Sequence, residues 1–179
     1  MTSTETTDDR PTPASGERAD LLESLQVQRA FLVHTVQGLT DEQAQLRPTA
    51  SELSLGGLVK HVAATERVWV DFVLRGPSAF PANDEAAWAQ RAAEFTLLEH
   101  ETLAEVLAGY AEVARRTDQL VADLPDLDAA HPLPEAPWFP PDARRSARRV
   151  FVHIVAETAQ HAGHADILRE TIDGQKTMG

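Results

Sequence analysis

Hydrophobic positions along the chain recur at three- and four-residue intervals, and polar residues fill the spaces between them. That spacing places one face of an α-helix against a core. Leu21, Leu22, Leu25, Ala30, Leu32, Val33 and Val36 supply such a face, predicting a first helix from about Arg18 to Gly38, where the glycine stops it. Thr40 and Gln43 have capping-box spacing and open a short helical turn that ends before Pro48. A second long helix begins near Ser54, tolerates Gly56 and Gly57 in its first turns and runs to about Arg75, with Gly76-Pro77 ending it. Asn83-Asp84-Glu85 caps another short helix through Arg91. Leu103, Val106, Leu107, Tyr110, Val113, Leu120 and Val121 form the inward stripe of a third long helix, His100 to Leu124. A proline-rich loop follows over Pro125–Asp142, in which Trp138 and Phe139 fold back over the body of the protein. The fourth long helix spans about Ala143 to Ile172, with Gly174 as its stop. No run alternates long enough to predict a strand.

The expected fold is therefore all-α, an antiparallel four-helix bundle with a short extra helix and a proline-rich loop before the last helix. The loop lengths are uneven, which leaves room for a crossover. Residues 1–16, rich in Thr, Pro and Asp and almost without apolar side chains, form a disordered tail, and residues 17–179 form the bundle domain.

Charge and composition narrow the functional classes. With 16 Lys+Arg against 28 Asp+Glu, the net charge is −12, which argues against nucleic acid and anionic membrane surfaces as partners. No apolar run is long enough to span a membrane, and no basic segment followed by an apolar stretch marks a signal peptide, so the expected location is the cytoplasm. Cysteine is absent, which excludes disulfides, thiolate metal sites and a cysteine nucleophile.

The chemistry concentrates in the histidines, of which there are seven. At 100° per residue, His153, Glu157, His161, His164 and Leu168 share one narrow face of the last helix. Ionisable groups on an inward face are costly unless paired or coordinated. On the second long helix, Leu58, His61, Thr65, Val68 and Phe72 form an inward stripe that contains His61. Glu157 and His161 lie one turn apart, about 6 Å along the axis, and can converge on one ion. His61 on a facing helix would complete a three-ligand site with an open position, a catalytic pattern for zinc. The same ligands also hold nickel, iron or manganese. The alternative is a hydrogen-bonded core histidine beside a Glu–His ion pair. His34, His100 and His131 have no convergent partners and read as surface or capping residues.

The run from Glu157 to Glu170, ending in Ile172-Asp173-Gly174, resembles the C-terminal signature of the DinB-like superfamily, in particular an actinobacterial branch related to mycothiol-dependent enzymes. The stretch Leu53–Trp69 resembles the second-helix motif of the same family, and so do Gly38–Gln43 and Arg47-Pro48. The resemblance implies a divalent metal ion, zinc first and nickel second, held by residues matching His61, Glu157 and His161. Many members have histidine at the position of Glu157; the His/Glu/His set is similar to that of mycothiol-dependent maleylpyruvate isomerase.

The implied activity is a transferase or isomerase that activates a low-molecular-weight thiol, mycothiol, towards an electrophilic substrate. Coordination to a divalent ion deprotonates a thiol whose free pKa is about 8.5. The chain has no cysteine, so the sulfur arrives with the cosubstrate. Helical position places Glu66, Asp166 and His164 within reach of the ligating histidines, with His153 one turn before Glu157. Arg169 and Arg149 are candidates for a cosubstrate carboxylate or for ion pairs on the helix flank. Two alternatives stand beside this: a metal-stabilised, non-catalytic binding or stress-response module, and a metal-dependent hydrolase with Glu66 or Asp166 as base. The resemblance also makes a homodimer an expectation.

Overall fold

In the computed structural model, residues 16–81 and 84–177 are described. Residues 1–15, which make up nearly all of the expected tail, and Asn83, one of the expected helix-capping residues, lie outside them. The elements are α1 (Glu17–His34), α2 (Asp41–Gln45), α3 (Leu55–Arg75), a 3-10 turn (Gly76–Ala79), α4 (Glu85–Glu94), α5 (Leu103–Asp123), β1 (Ala130–Pro132), β2 (Arg144–Ser146) and α6 (Ala147–Asp173).

Helix starts follow their caps. Thr40 and Gln43 form a reciprocal capping box on α2. Ser54, Asp84 and Ser146 each accept a hydrogen bond from the backbone N–H three residues on. Thr102 and Glu105 form a second capping box, so α5 begins at Leu103 rather than at His100. At the other ends, α1 closes at His34 in a series of turns reaching Gly38, whose φ of 74° is left-handed. Gly174 ends α6 in the same conformation.

The expectation of no strand is corrected. β1 and β2 pair antiparallel, with His131 opposite Arg145. Strands of three residues are too short to leave an alternating pattern. The ribbon takes over residues 144–146, so α6 begins at Ala147 instead of Ala143.

The four long helices share two apolar clusters. One contains Leu32, Leu55, Leu58, Val62, Tyr110 and Leu168. The other contains Leu25, Trp69, Phe72, Val121, Phe151 and Ile154. The long helices also bury polar residues: Arg29, Glu66, Thr117, Thr158 and Arg169. Arg29 donates to Glu66 (2.5 Å) and to Asp118 (2.7 Å), and the Thr117 hydroxyl donates to Glu66 (2.5 Å). The order of clusters along each helix gives the directions. α1 and α6 run from the second cluster to the first, whereas α3 and α5 run from the first to the second. The antiparallel expectation thus holds for α1 with α3 and for α5 with α6. It fails for α3 with α5 and for α1 with α6, each of which runs in the same direction as its neighbour.

Candidate metal centre and ligand pocket

Since α3 and α6 pack in opposite directions, His61 meets Glu157 and His161 across their interface. The three residues each offer a ligand atom, all within 4.8 Å of one another, and all three are half-buried. His61 Nε2 lies 3.6 Å and His161 Nε2 lies 3.4 Å from the same carboxylate oxygen of Glu157. These separations exceed a good hydrogen bond. They are close to the edge of roughly 3.3 Å of a tetrahedron with bonds near 2.05 Å, the span of two donors sharing one zinc-like ion. The polar contact with the His161 imidazole, and then with that of His61, holds the Glu157 carboxyl far below the usual carboxylate range. A carboxylate with two neutral imidazoles carries one negative charge, which suits a dication in a partly dry site.

The second-helix histidine is fixed by a segment that sequence reasoning missed. Phe95, just after α4, stacks on the His61 ring with centroids 3.8 Å apart and planes 20° apart. Lys60 holds this segment by donating to the Thr96 carbonyl (3.1 Å) and to Glu101 (2.6 Å). The close approach requires Gly57, where a Cβ would lie 1.9 Å from the Phe95 carbonyl oxygen. Tandem glycine in the first turn of an otherwise apolar helix was the available signal. The Thr65 hydroxyl lies 3.4 Å from His61 Nε2, while His61 Nδ1 is buried without a hydrogen-bond partner.

Two of the expected neighbours are in place. His164 Nδ1 lies 3.4 Å from His161 Nδ1. His153 sits against the edge of Trp69, ring centroids 4.8 Å apart, and burial pushes its pKa down, with Arg145 adding to the shift.

Others are not at the site. Glu66 belongs to the central Arg29–Thr117 network, five residues from His61 and so about 140° around the helix. Asp166 is five residues from His161, and it caps the C-terminal segment by accepting from the Thr177 N–H (2.7 Å). Among the described residues neither has a hydrogen bond to a histidine of the cluster. Arg169 is buried and fully engaged, donating to the carbonyls of Thr35 and Gln37 (2.9 Å each) and to Asp173. It ties α6 to the end of α1. Arg149 is exposed and forms no ion pair among the described residues. His131 is half-buried rather than superficial, with Nε2 3.2 Å from the Val73 carbonyl.

A cavity of about 830 Å³ opens beside the triad. His61, Glu157 and His153 line it, together with Trp69, Phe80 and residues of α4 and of the loop 134–139. At its rim Trp88 and Trp138 meet edge to face, 6.0 Å apart, and both are about half exposed. The expectation that Trp138 and Phe139 fold back over the body is met: both line this cavity. Among the described residues no helix is long and apolar enough to cross a membrane.

A mostly helical body with a His/Glu/His cluster beside an apolar cavity defines the class. The chain belongs to the Mycothiol-S-transferase family, a DinB-like family whose profile matches residues 20–174. No curated protein matches it. Its fold is similar to that in the crystal structure of a conserved protein from Enterococcus faecalis, at 15% identity and a TM-score of 0.67, covering 90% of this chain and all of that one.

Proposed function

We propose that this chain is a divalent-metal-dependent transferase that activates a small thiol, mycothiol by family, for reaction with an electrophile; isomerisation through the same thiol is its nearest variant. The carrying observation is the pair of 3.4 and 3.6 Å separations from two imidazoles to one carboxylate oxygen, on the wall of an apolar cavity. In this reading His61, Glu157 and His161 hold the ion, zinc ahead of nickel. A divalent ion at these ligands lowers the pKa of a coordinated thiol, supplying a thiolate at neutral pH. Glu157 is ionised throughout the physiological range and ready to bind a cation. Phe95 stacks on the His61 ring and fixes it, and His164 steadies His161 from the side. The aromatic walls offer an apolar surface to the electrophile.

The reading extends to the architecture: residues 17–179 form one four-helix bundle domain, with α3 and α6 as its metal-bearing pair, acting in the cytoplasm.

The test is metal content of tag-free protein by mass spectrometry, beside His161→Ala and Glu157→Gln, followed by thiol consumption with 1-chloro-2,4-dinitrobenzene. About one zinc or nickel per chain, lost in both variants together with thiol-dependent turnover, is the expected result. Wild-type protein that takes up no metal after reconstitution would overturn the reading.

A further inference from the structure

Outside the His/Glu/His cluster, the cavity wall carries two half-buried polar side chains without a hydrogen-bond partner among the described residues, the imidazole of His153 and the carboxylate of Glu94. The other polar groups there are engaged or exposed. Ser78 donates to the Arg75 carbonyl, Thr65 lies beside His61, and Gln90, Arg91 and Glu135 are exposed. His153 differs from Glu94 in its position. It shares a face of α6 with Glu157, one turn earlier and about 6 Å along the axis.

The fold leaves the ring nitrogens of His153 unpaired without sealing them off. The unpartnered polar atoms buried away from solvent on α3 and α6 are His61 Nδ1 and Thr158 Oγ1, and neither nitrogen of His153 is among them. The ring itself lines the cavity. Trp69 fixes its orientation, with centroids 4.8 Å apart and planes at 78°. Burial, and then Arg145, disfavour its protonated form; Glu157 opposes them and Arg149 adds to them. A neutral imidazole offers one N–H donor and one acceptor, which suits an uncharged polar group better than an anion. Glu94 and Glu135 on the same wall also disfavour an anion.

We infer that His153 is a specificity-determining residue that donates a hydrogen bond to a neutral acceptor on the electrophile, so that the ligand class is a flat, apolar, uncharged molecule bearing a carbonyl or nitro oxygen. Those groups are also the ones that make a neighbouring carbon electrophilic. The apolar body lies against Trp69, Phe80 and Phe139, and the polar group sits one helical turn from Glu157. The inference rests on the proposed function only in taking this cavity as the place where the electrophile binds.

A matched pair of uncharged fluorescent probes tests it without thiol. 6-Propionyl-2-(dimethylamino)naphthalene and 6-propyl-2-(dimethylamino)naphthalene share a ring system and differ by the carbonyl oxygen. Both are titrated into wild-type protein, His153→Phe, which keeps a flat ring against Trp69, and His153→Gln, which keeps a donor. His153→Phe is expected to weaken the ketone about fivefold, the value of one neutral hydrogen bond, and to leave the propyl probe within about twofold. The emission of the bound ketone moves to the blue in the same variant, because its carbonyl has lost a donor. His153→Gln recovers part of the affinity. Equal weakening of both probes would make His153 a packing residue and overturn the inference, as would no change in either or no binding to wild-type protein. His161 is not among the residues lining the cavity, so His161→Ala removes the cluster and leaves that wall in place. Preference for the ketone that persists in His161→Ala supports the inference even where that protein proves metal-free and inactive. Preference that vanishes there would mean that the ketone binds the ion, which overturns the inference and leaves the metal reading intact.

Discussion

Gly57→Ala sets helix propensity against packing, and the structure decides which wins. Alanine is favoured over glycine by about 1 kcal/mol within a helix, so propensity alone predicts a more stable protein. At this position the added Cβ would lie 1.9 Å from the Phe95 carbonyl oxygen, 2.5 Å from its carbon and 2.9 Å from the Ser54 hydroxyl. Real Cβ contacts do not fall below 3.0 Å, so backbone must retreat by about 1.1 Å, and the obstacle is a carbonyl rather than a flexible side-chain tip. Overpacking of this kind costs about 1–3 kcal/mol, and a rigid obstacle places it at the upper end. The expected net loss is about 2 kcal/mol, or a fall in Tm of roughly 4–8 °C for a domain of this size. Gly109→Ala is the control: on α5 nothing lies within 4 Å of the built Cβ, and the same substitution should raise Tm by roughly 2–4 °C. Differential scanning calorimetry of the two variants reads both signs. A Gly57→Ala protein as stable as wild type would refute the claim that Phe95 is seated by the missing side chain.

Removing Glu66 leaves the buried Arg29 with Asp118 as its one carboxylate partner, so Glu66→Ala should lose about 2–3 kcal/mol in urea unfolding while metal content stays at the wild-type level; metal loss with little change in stability would instead return Glu66 to the site. His153 is held below its ordinary pKa of 6.5 by burial, so the unfolded chain takes up its proton first as pH falls. Its contribution is therefore complete above about pH 6.5 and declines below it, and His153→Gln should narrow the difference in Tm between pH 7.5 and pH 5.0. Trp138 is 54% exposed at the cavity rim, so Trp138→Ala should shift stability by less than about 0.5 kcal/mol yet weaken both naphthalene probes in fluorescence titration; unchanged probe affinity would remove the rim from the binding surface.

The residues legible in the sequence were those whose partners lie on the same helix or follow its period. Leu58, His61, Thr65, Val68 and Phe72 share a stripe, and Glu157 and His161 share a turn. Facing the two sets across one interface needs only that α3 and α6 pack antiparallel, and they do. Reach along a helix proved a poor guide for Glu66 and Asp166. Five residues is a short distance along the axis but about 140° around it. Each carboxylate therefore finds a different neighbour, Arg29 with Thr117 in one case and the Thr177 backbone in the other.

What the sequence could not supply was the crossover. Residues 76–102 bring Phe95 onto His61, and the ribbon of residues 130–146 carries Arg145 onto Trp69. Neither approach has a period, because each joins a loop to a helix far away in the chain. Gly57 and Arg145 carry the trace of these approaches in opposite ways. The glycine marks where backbone had to come close, and the arginine marks where a donor was left without a partner. Phe95, His61 and Trp69 line one cavity, with His61 at one position along α3 and Trp69 two turns further on. The His/Glu/His cluster can be read from α3 and α6 alone. The shape of the molecule that reaches it depends on the loops that sequence periodicity does not describe.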